Sequence, residues 1–437
     1  MPPATDPPRR PATVPGGSGS PSDEPASGLV PGPELAALHA ACERLLPAYL
    51  ADLEHLVNID CGSYTKAGVE EVAAWIAGRL RALGADVAVH EHATLGPTVA
   101  GTFAGAEREG PTLLCIGHMD TVFDPGTAAA RPYTLRDGIA TGPGVTDMKS
   151  GLLAGLYAIA ALREVTGGLP LGRLVFVANP DEEIGSPAST PHIVRLAAGA
   201  DAAFVLECAR MNGDIVSERK GNLGLAVTVH GRAAHAGIEP DKGRNAILEA
   251  ARMTIDLQAL NGRWPGVTVN VGVVHGGTRP NVIADRCVLE VDCRAFGRAE
   301  LEAAEAAIRA VCVPALVPDL AVDIEETGRH WPMQKLERSG RLVDHAVALA
   351  AGLGFELHDA TTGGASDANT TAGLGVPTID GLGPIGGFDH SPDEYLEVGS
   401  VVPRTALLAG LIAAVGRDPE IGTWRAERVG AAGERRA

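Results

Sequence analysis

The stretch "RLVFVANPDEEIGS", residues 173–186, runs from a short apolar segment straight into three adjacent carboxylates, Asp181, Glu182 and Glu183. The apolar half, rich in β-branched and aromatic side chains, reads as a buried strand. Like charges packed together repel, so a chain holds them side by side either on a solvated surface or around something positive. The fold therefore turns on which sheet this strand joins and on what else meets its end.

Working outward, similar apolar runs occur at 85–91 ("ADVAVHE"), 99–105 ("VAGTFAG"), 112–117 ("TLLCIG") and 202–207 ("AAFVLE"). Helical segments lie between several of them. Residues 69–83 carry a helical stripe of apolar positions that Gly84 stops, and "SGLLAGLYAIAALREV" (150–165) is a second helix. Short apolar strands alternating with helices predict an α/β domain with a mostly parallel sheet buried on both faces. Near residue 217 the pattern changes to strand, helix, two strands, helix and strand, the β-α-β-β-α-β order of a small α+β unit. From about 330 the larger pattern resumes. The expected organisation is a leader at 1–33, a discontinuous catalytic domain at 34–216 and 328–418, an inserted domain at 217–327 and a flexible tail at 419–437. The leader holds ten prolines with Gly and Ser and has too little apolar surface to pack.

The formal charge of −18 over 437 residues argues against nucleic acid, which needs a basic surface. Apolar runs of membrane-spanning length are not expected, and an export signal is not expected after Arg9–Arg10 because no apolar segment follows. The seven cysteines (42, 61, 115, 208, 287, 293 and 312) are scattered and odd in number. They read as reduced thiols in a cytoplasmic protein.

Five places carry chemistry. "CIGHMDTVF" (115–123) puts His118 and Asp120 two residues apart just after a strand, on one side of an extended chain. "ATGPGVTDMKSG" (140–151) delivers Asp147 from a tight turn to a helix start, where it reads equally as an N-cap. The remaining three are the acidic cluster, Glu207 at a strand end, and His390 in the glycine-rich "GPIGGFDHSPDEY" (383–395). Each alone has a bland reading. Together they place His, Asp, Glu, Glu and His at successive strand ends, where ligands of parallel sheets bind. Imidazole and carboxylate are the donors that zinc and similar cations prefer, and five suffice for two ions sharing a bridging carboxylate.

These motifs, with "GRAAHAG" (231–237), resemble in order and spacing the M20 family of metallopeptidases and deacylases, in its glutamate carboxypeptidase (carboxypeptidase G-like) branch. The resemblance covers about residues 40–415. It implies a zinc-exopeptidase-like catalytic domain with an inserted dimerisation or lid domain. It also implies two Zn2+ per subunit, with Co2+ or Mn2+ as substitutes. His118 and Glu207 would serve one ion, Glu183 and His390 the other, and Asp147 both. Asp120 would orient His118, and Glu182 would be the general base. His235 would reach from a partner subunit to the oxyanion, which implies a homodimer. The peptide bond after Asp147 is expected to be cis. Asn281, Arg294 and Arg329 are candidates for holding the substrate, Lys220 is a weaker one, and the turn "GGASD" (363–367) is expected to offer backbone N–H groups. The implied reaction is hydrolysis of the amide in an N-acyl amino acid or small peptide by a metal-bridging hydroxide. A deacylase or dipeptidase of the same family, or a catalytically silent scaffold, stays open.

Overall fold

The computed structural model describes residues 29–428. Among them a six-stranded sheet forms the larger unit, in the spatial order Asp86–His90, Thr98–Ala104, Arg173–Asn179, Thr112–His118, Ala202–Val205 and Thr378–Ile379. The three pairings from Arg173–Asn179 onward are parallel, and the two that add the first strands are antiparallel. Thr112–His118 is buried at every residue, as a central strand covered on both faces must be. Its cover on one face is a helical layer of Gly32–Val57, Ser150–Thr166 and Val398–Arg417. The helices Thr190–Ala197 and Asp367–Gly373 pack on the other.

Val145–Thr166 and Val398–Arg417 are long and apolar enough to cross a membrane by length and composition, which corrects the expectation that no run reaches that length. Both are packed inside the unit, with 89% and 78% of their apolar windows buried. Their all-round apolarity is that of core helices.

The smaller unit is a four-stranded antiparallel sheet in the order Thr268–Gly276, Arg286–Ala295, Gly221–His230 and Ala321–His330. Gly221–His230 alternates strictly between buried and half-buried residues. That is the signature of a sheet covered on one face only, here by the helices Ala246–Gln258 and Arg298–Val311. The unit begins and ends a few residues later than the pattern suggests. Ile215–Arg219 stays with the larger unit because it pairs in parallel with Asp359–Thr362, a long-range partner that periodicity does not reveal.

The two ends differ from expectation as well. Val30 is already buried and the first helix starts at Gly32, inside the proposed leader; residues 1–28 lie outside the described residues. Residues 419–428, expected as part of a flexible tail, are packed: Ile421–Thr423 forms a 3-10 turn and Trp424 is 1% exposed. The Arg425 backbone N–H donates to Asp201 Oδ1 at 2.9 Å. Residues 429–437 lie outside the described residues. Trp424→Ala is expected to cost about 3–5 kcal/mol of stability, in the range of buried aromatic truncations. Urea unfolding followed by circular dichroism checks this; an unshifted midpoint would show that the segment is not part of the core.

Candidate active site

The carboxyl ends of the parallel strands deliver the chemistry. His118 closes Thr112–His118, Glu182 and Glu183 follow Arg173–Asn179, and Glu207 lies two residues past Ala202–Val205. Asp147 sits in a kinked turn ahead of the Ser150–Thr166 helix, with a cis bond to Met148. Gly151 lets that helix end approach Glu207 closely: a Cβ there would lie 1.9 Å from the Leu206 carbonyl oxygen. His390 comes from the late loop, at a positive φ of 62°.

These side chains converge. His118 Nε2 is 3.1 Å from Asp147 Oδ1 and 3.7 Å from Glu207 Oε1. His390 Nε2 is 3.1 Å from Asp147 Oδ2 and 3.1 Å from Glu183 Oε2. Asp147 thus presents one oxygen to each of two histidine–carboxylate pairs. Glu183 lies against His390; Glu182 instead faces His118 and Glu207, their ligand atoms all within 4.8 Å of one another. Asp181 turns away. It accepts from the backbone N–H groups of Ala188 and Ser189 and from Ser189 Oγ, fastening the loop that follows.

Asp120 is fully buried and does more than its spacing suggests. His118 Nδ1 is 2.9 Å from the Asp120 main-chain carbonyl, while the carboxylate stands 3.4 Å away. That carboxylate accepts from Ser63 Oγ at 2.6 Å and from the backbone N–H groups of Glu182 and Glu183 at 3.1 and 3.2 Å. It therefore ties the His118 strand to the acidic segment. Two further residues escaped the sequence reading. Glu394 accepts from the backbone N–H groups of Gly144, Thr146 and Asp147 at 2.9, 2.9 and 3.1 Å. Buried Lys149 donates to the carbonyls of Ile59 and Pro143. Together they hold the turn that carries Asp147.

The electrostatics call for positive charge. Burial pushes the Glu182 and Glu207 carboxyls well above their usual range, and neighbouring carboxylates push them further. Burial also raises Asp147, but hydrogen bonds from His118 and His390 outweigh it and hold that carboxyl well below the usual range. His390 is driven up to about 11 by its bonds to Asp147 and Glu183. Glu183 Oε1 is buried with no hydrogen-bond partner among the described residues. Two histidines and four clustered carboxylates, one with an orphaned oxygen, fit divalent metal ions of the zinc type.

The candidate substrate residues are less gathered. Arg294 Nη1 donates to the Gly363 carbonyl at 3.0 Å, reaching from the smaller unit to the larger. Arg329 is held by Glu305 and Glu326, both at 2.7 Å, and lies over the Trp331 ring. It does not line the cleft. Lys220 stacks on Phe296. His235 and Asn281 are neighbours in the smaller unit, both exposed, with the Ala236 N–H donating to the Asn281 carbonyl, and neither lines this chain's cleft. In the 363–367 turn, the carbonyls of Gly363 and Gly364 are used, each by an arginine. The cleft, of about 300 Å³, is also walled by Arg210 and Arg219, which sequence reading did not single out.

The family model for peptidase family M20/M25/M40 matches residues 114–414. The chain belongs to this family. It is a hydrolase of the metallopeptidase and amidohydrolase class, and the cleft above is its candidate metal site. Over 378 residues the M20 chain is 30% identical to carboxypeptidase G2 of Pseudomonas sp. (strain RS-16), an alignment covering 85% of this chain and 90% of that one. It is 29% identical to a succinyl-diaminopimelate desuccinylase of Leptothrix cholodnii, over 76% of this chain and 90% of that protein. The fold matches the aminopeptidase PepT of Bacillus cereus ATCC 10987 with a TM-score of 0.71 at 22% identity, over 89% of this chain and all of that one.

Glu394→Gln keeps the shape of the support under Asp147 but weakens its acceptors. It is expected to lower zinc affinity about tenfold, as the loss of a group supporting a metal ligand does. Competition with a chromophoric chelator measures this. Unchanged affinity would mean that the turn holds Asp147 without Glu394.

Proposed function

We propose that this chain is a dizinc hydrolase that cleaves the amide bond of N-acyl amino acids or small peptides. The observation that carries the reading is Asp147, whose two carboxylate oxygens each lie 3.1 Å from a different histidine. His118 and Glu207 on one side, and Glu183 and His390 on the other, complete two donor sets around it. Bound zinc would polarise the scissile carbonyl and make a coordinated water acidic near neutral pH.

The residues supply the rest. Glu182 takes the proton of the attacking water and returns it to the leaving nitrogen, a general base and acid in turn. Asp120 keeps Glu182 and Glu183 in register with His118 through the backbone. The relatives named above, a carboxypeptidase and a desuccinylase, both support an amide substrate beside a carboxylate.

The active form is proposed to be a homodimer built on the smaller unit. Strand Thr268–Gly276 pairs on one side only and exposes Val273 and Val274 at its free edge. The outer face of Ala246–Gln258 exposes Ile247, Leu248 and Ile255. An apolar helix face beside an open strand edge is a surface that soluble chains cover. A second copy on that surface would bring its His235 toward the developing oxyanion. The cysteines, all buried and free, support a reducing compartment such as the cytoplasm.

Glu182→Gln is expected to retain zinc and lose roughly 100- to 10,000-fold in kcat on the best substrate from a panel of N-acyl amino acids and dipeptides. Elemental analysis and steady-state kinetics check this together. Loss of zinc from the variant would make Glu182 a ligand, and undiminished kcat would remove it from the mechanism.

A further inference from the structure

One buried carboxylate beside the cleft has no part in the mechanism above. Asp367 opens the Asp367–Gly373 helix, directly after the cleft residue Ser366, and is 3% exposed. A first-turn aspartate that only favours the helix dipole can do so from the surface. This one turns inward to partners 181 and 188 residues away. Its Oδ1 accepts from Ser186 Oγ at 2.6 Å and its Oδ2 from Asn179 Nδ2 at 2.7 Å. Asn179 and Ser186 bracket the segment 180–185, which carries Glu182 and Glu183. A single carboxylate thus spans the entry and the exit of the acidic loop. The entry is fixed already, because Asn179 pairs with His118 across the parallel strands. The exit needs holding. Ser186 sits at a φ of 56°, in the left-handed region that a residue with a Cβ adopts at a cost. Its backbone N–H donates to the Asp181 carbonyl at 2.8 Å, and its hydroxyl is held by Asp367.

We propose that Asp367 is a positioning residue for Glu182: by gripping both ends of the 180–185 segment, it holds the general base where the attacking water is deprotonated. The inference rests on the hydrolase reading above and adds a residue to it. Asp120 fixes the backbone of Glu182 and Glu183 inside the loop. Asp367 fixes the points at which the loop leaves and rejoins the larger unit. The energetics favour a positional role over a stabilising one. Both donors to Asp367 are neutral side chains, and burial pushes its carboxyl up to about 6. A buried carboxylate paired with no cation is costly to keep. It also adds negative charge near Glu182, which already has Glu207 and Glu183 close by. An apolar side chain would spare the fold that cost. What the carboxylate adds is two acceptors on one short side chain, aimed at two donors seven residues apart in the chain. The chemistry rewards such fixing, since a displacement of about 1 Å in a reacting group can cost about 100-fold in rate.

The test compares three variants of the full-length, zinc-loaded protein on the best substrate of the panel. Asp367→Ala removes both grips and is expected to lower kcat about 10- to 100-fold, with KM and zinc content changed by less than about twofold. Asp367→Asn keeps an oxygen for Ser186. Its amide N–H can be met by Asn179 Oδ1, which is buried without a partner among the described residues, once the Asn179 amide turns over. This variant should recover most of the lost kcat. Ser186→Ala cuts one grip and should fall between; it carries the test if Asp367→Ala folds poorly. Hydrogen–deuterium exchange of the metal-free proteins needs no turnover. Exchange should quicken in residues 180–189 of Asp367→Ala and Ser186→Ala and return toward wild type in Asp367→Asn. Undiminished kcat in both alanine variants overturns the positioning role while the hydrolase reading stands. So does a fall in kcat that comes with loss of zinc, a raised KM and a lowered Tm, which marks a merely structural part. If Asp367→Asn is as slow as Asp367→Ala, the charge acts and not the grip, and the proposal fails. Wild type that hydrolyses nothing in the panel is a separate result: it removes the hydrolase reading, and the positioning role with it.

Discussion

Asp147 between two histidines is the constraint around which the larger unit is arranged. Its two oxygens face different histidines, so both the position and the orientation of the carboxylate are fixed. The chain meets this by breaking the backbone just ahead of the Ser150–Thr166 helix, with Asp147 and Met148 in non-helical conformation. That break exposes backbone N–H groups, and Glu394 accepts three of them. Buried Lys149 secures the other side of the turn against two carbonyls. The cost of an irregular, buried turn is met by pairing its polar groups, as buried backbone requires.

The acidic stretch 181–183 divides its labour along the same lines. Three consecutive carboxylates in one local repeat point three ways. Asp181 folds back to cap its own loop, Glu182 faces His118 and Glu207, and Glu183 faces His390. The short 3-10 turn Glu182–Ile184 fans them out. Asp120 then grips the backbone of the last two, so the segment is held by main-chain contacts that leave both glutamate side chains free.

The fold was readable because its signals are local. Alternation in Gly221–His230 and continuous burial in Thr112–His118 follow directly from which faces are covered. The metal-type donors were readable for a related reason: parallel strands all end at one edge, so His and carboxylate residues after successive strands meet without further information. What escaped were residues whose partners are distant in sequence. Glu394 serves a turn some 250 residues earlier, and Arg219 depends on Asp380. Neither stands in a periodic pattern, and an acid or a base in a polar loop carries no mark of burial. Trp424 was missed for the opposite reason. It is one apolar residue in a charged tail, and only the groove that receives it makes it core.

The same argument bears on how the two units communicate. Their covalent crossings are short, with only Lys220 between the last strand of the larger unit and the first of the smaller. Contacts across the junction include the glycine turn at 363–364 and the end of the Asp367–Gly373 helix, where Arg298 of the smaller unit donates to the Gly373 carbonyl. Arg219 of the larger unit takes the carbonyl of Gly364, and Arg294 of the smaller unit takes that of Gly363. Adjacent carbonyls of one turn therefore report on both units at once. Ser366 extends the link, since it caps the Asp367–Gly373 helix and also holds Asp380. A rotation of the smaller unit that withdraws Arg294 would pull on the turn that orients Arg219. The orientation of Arg219 is in that sense tied to the position of the inserted unit through two adjacent carbonyls.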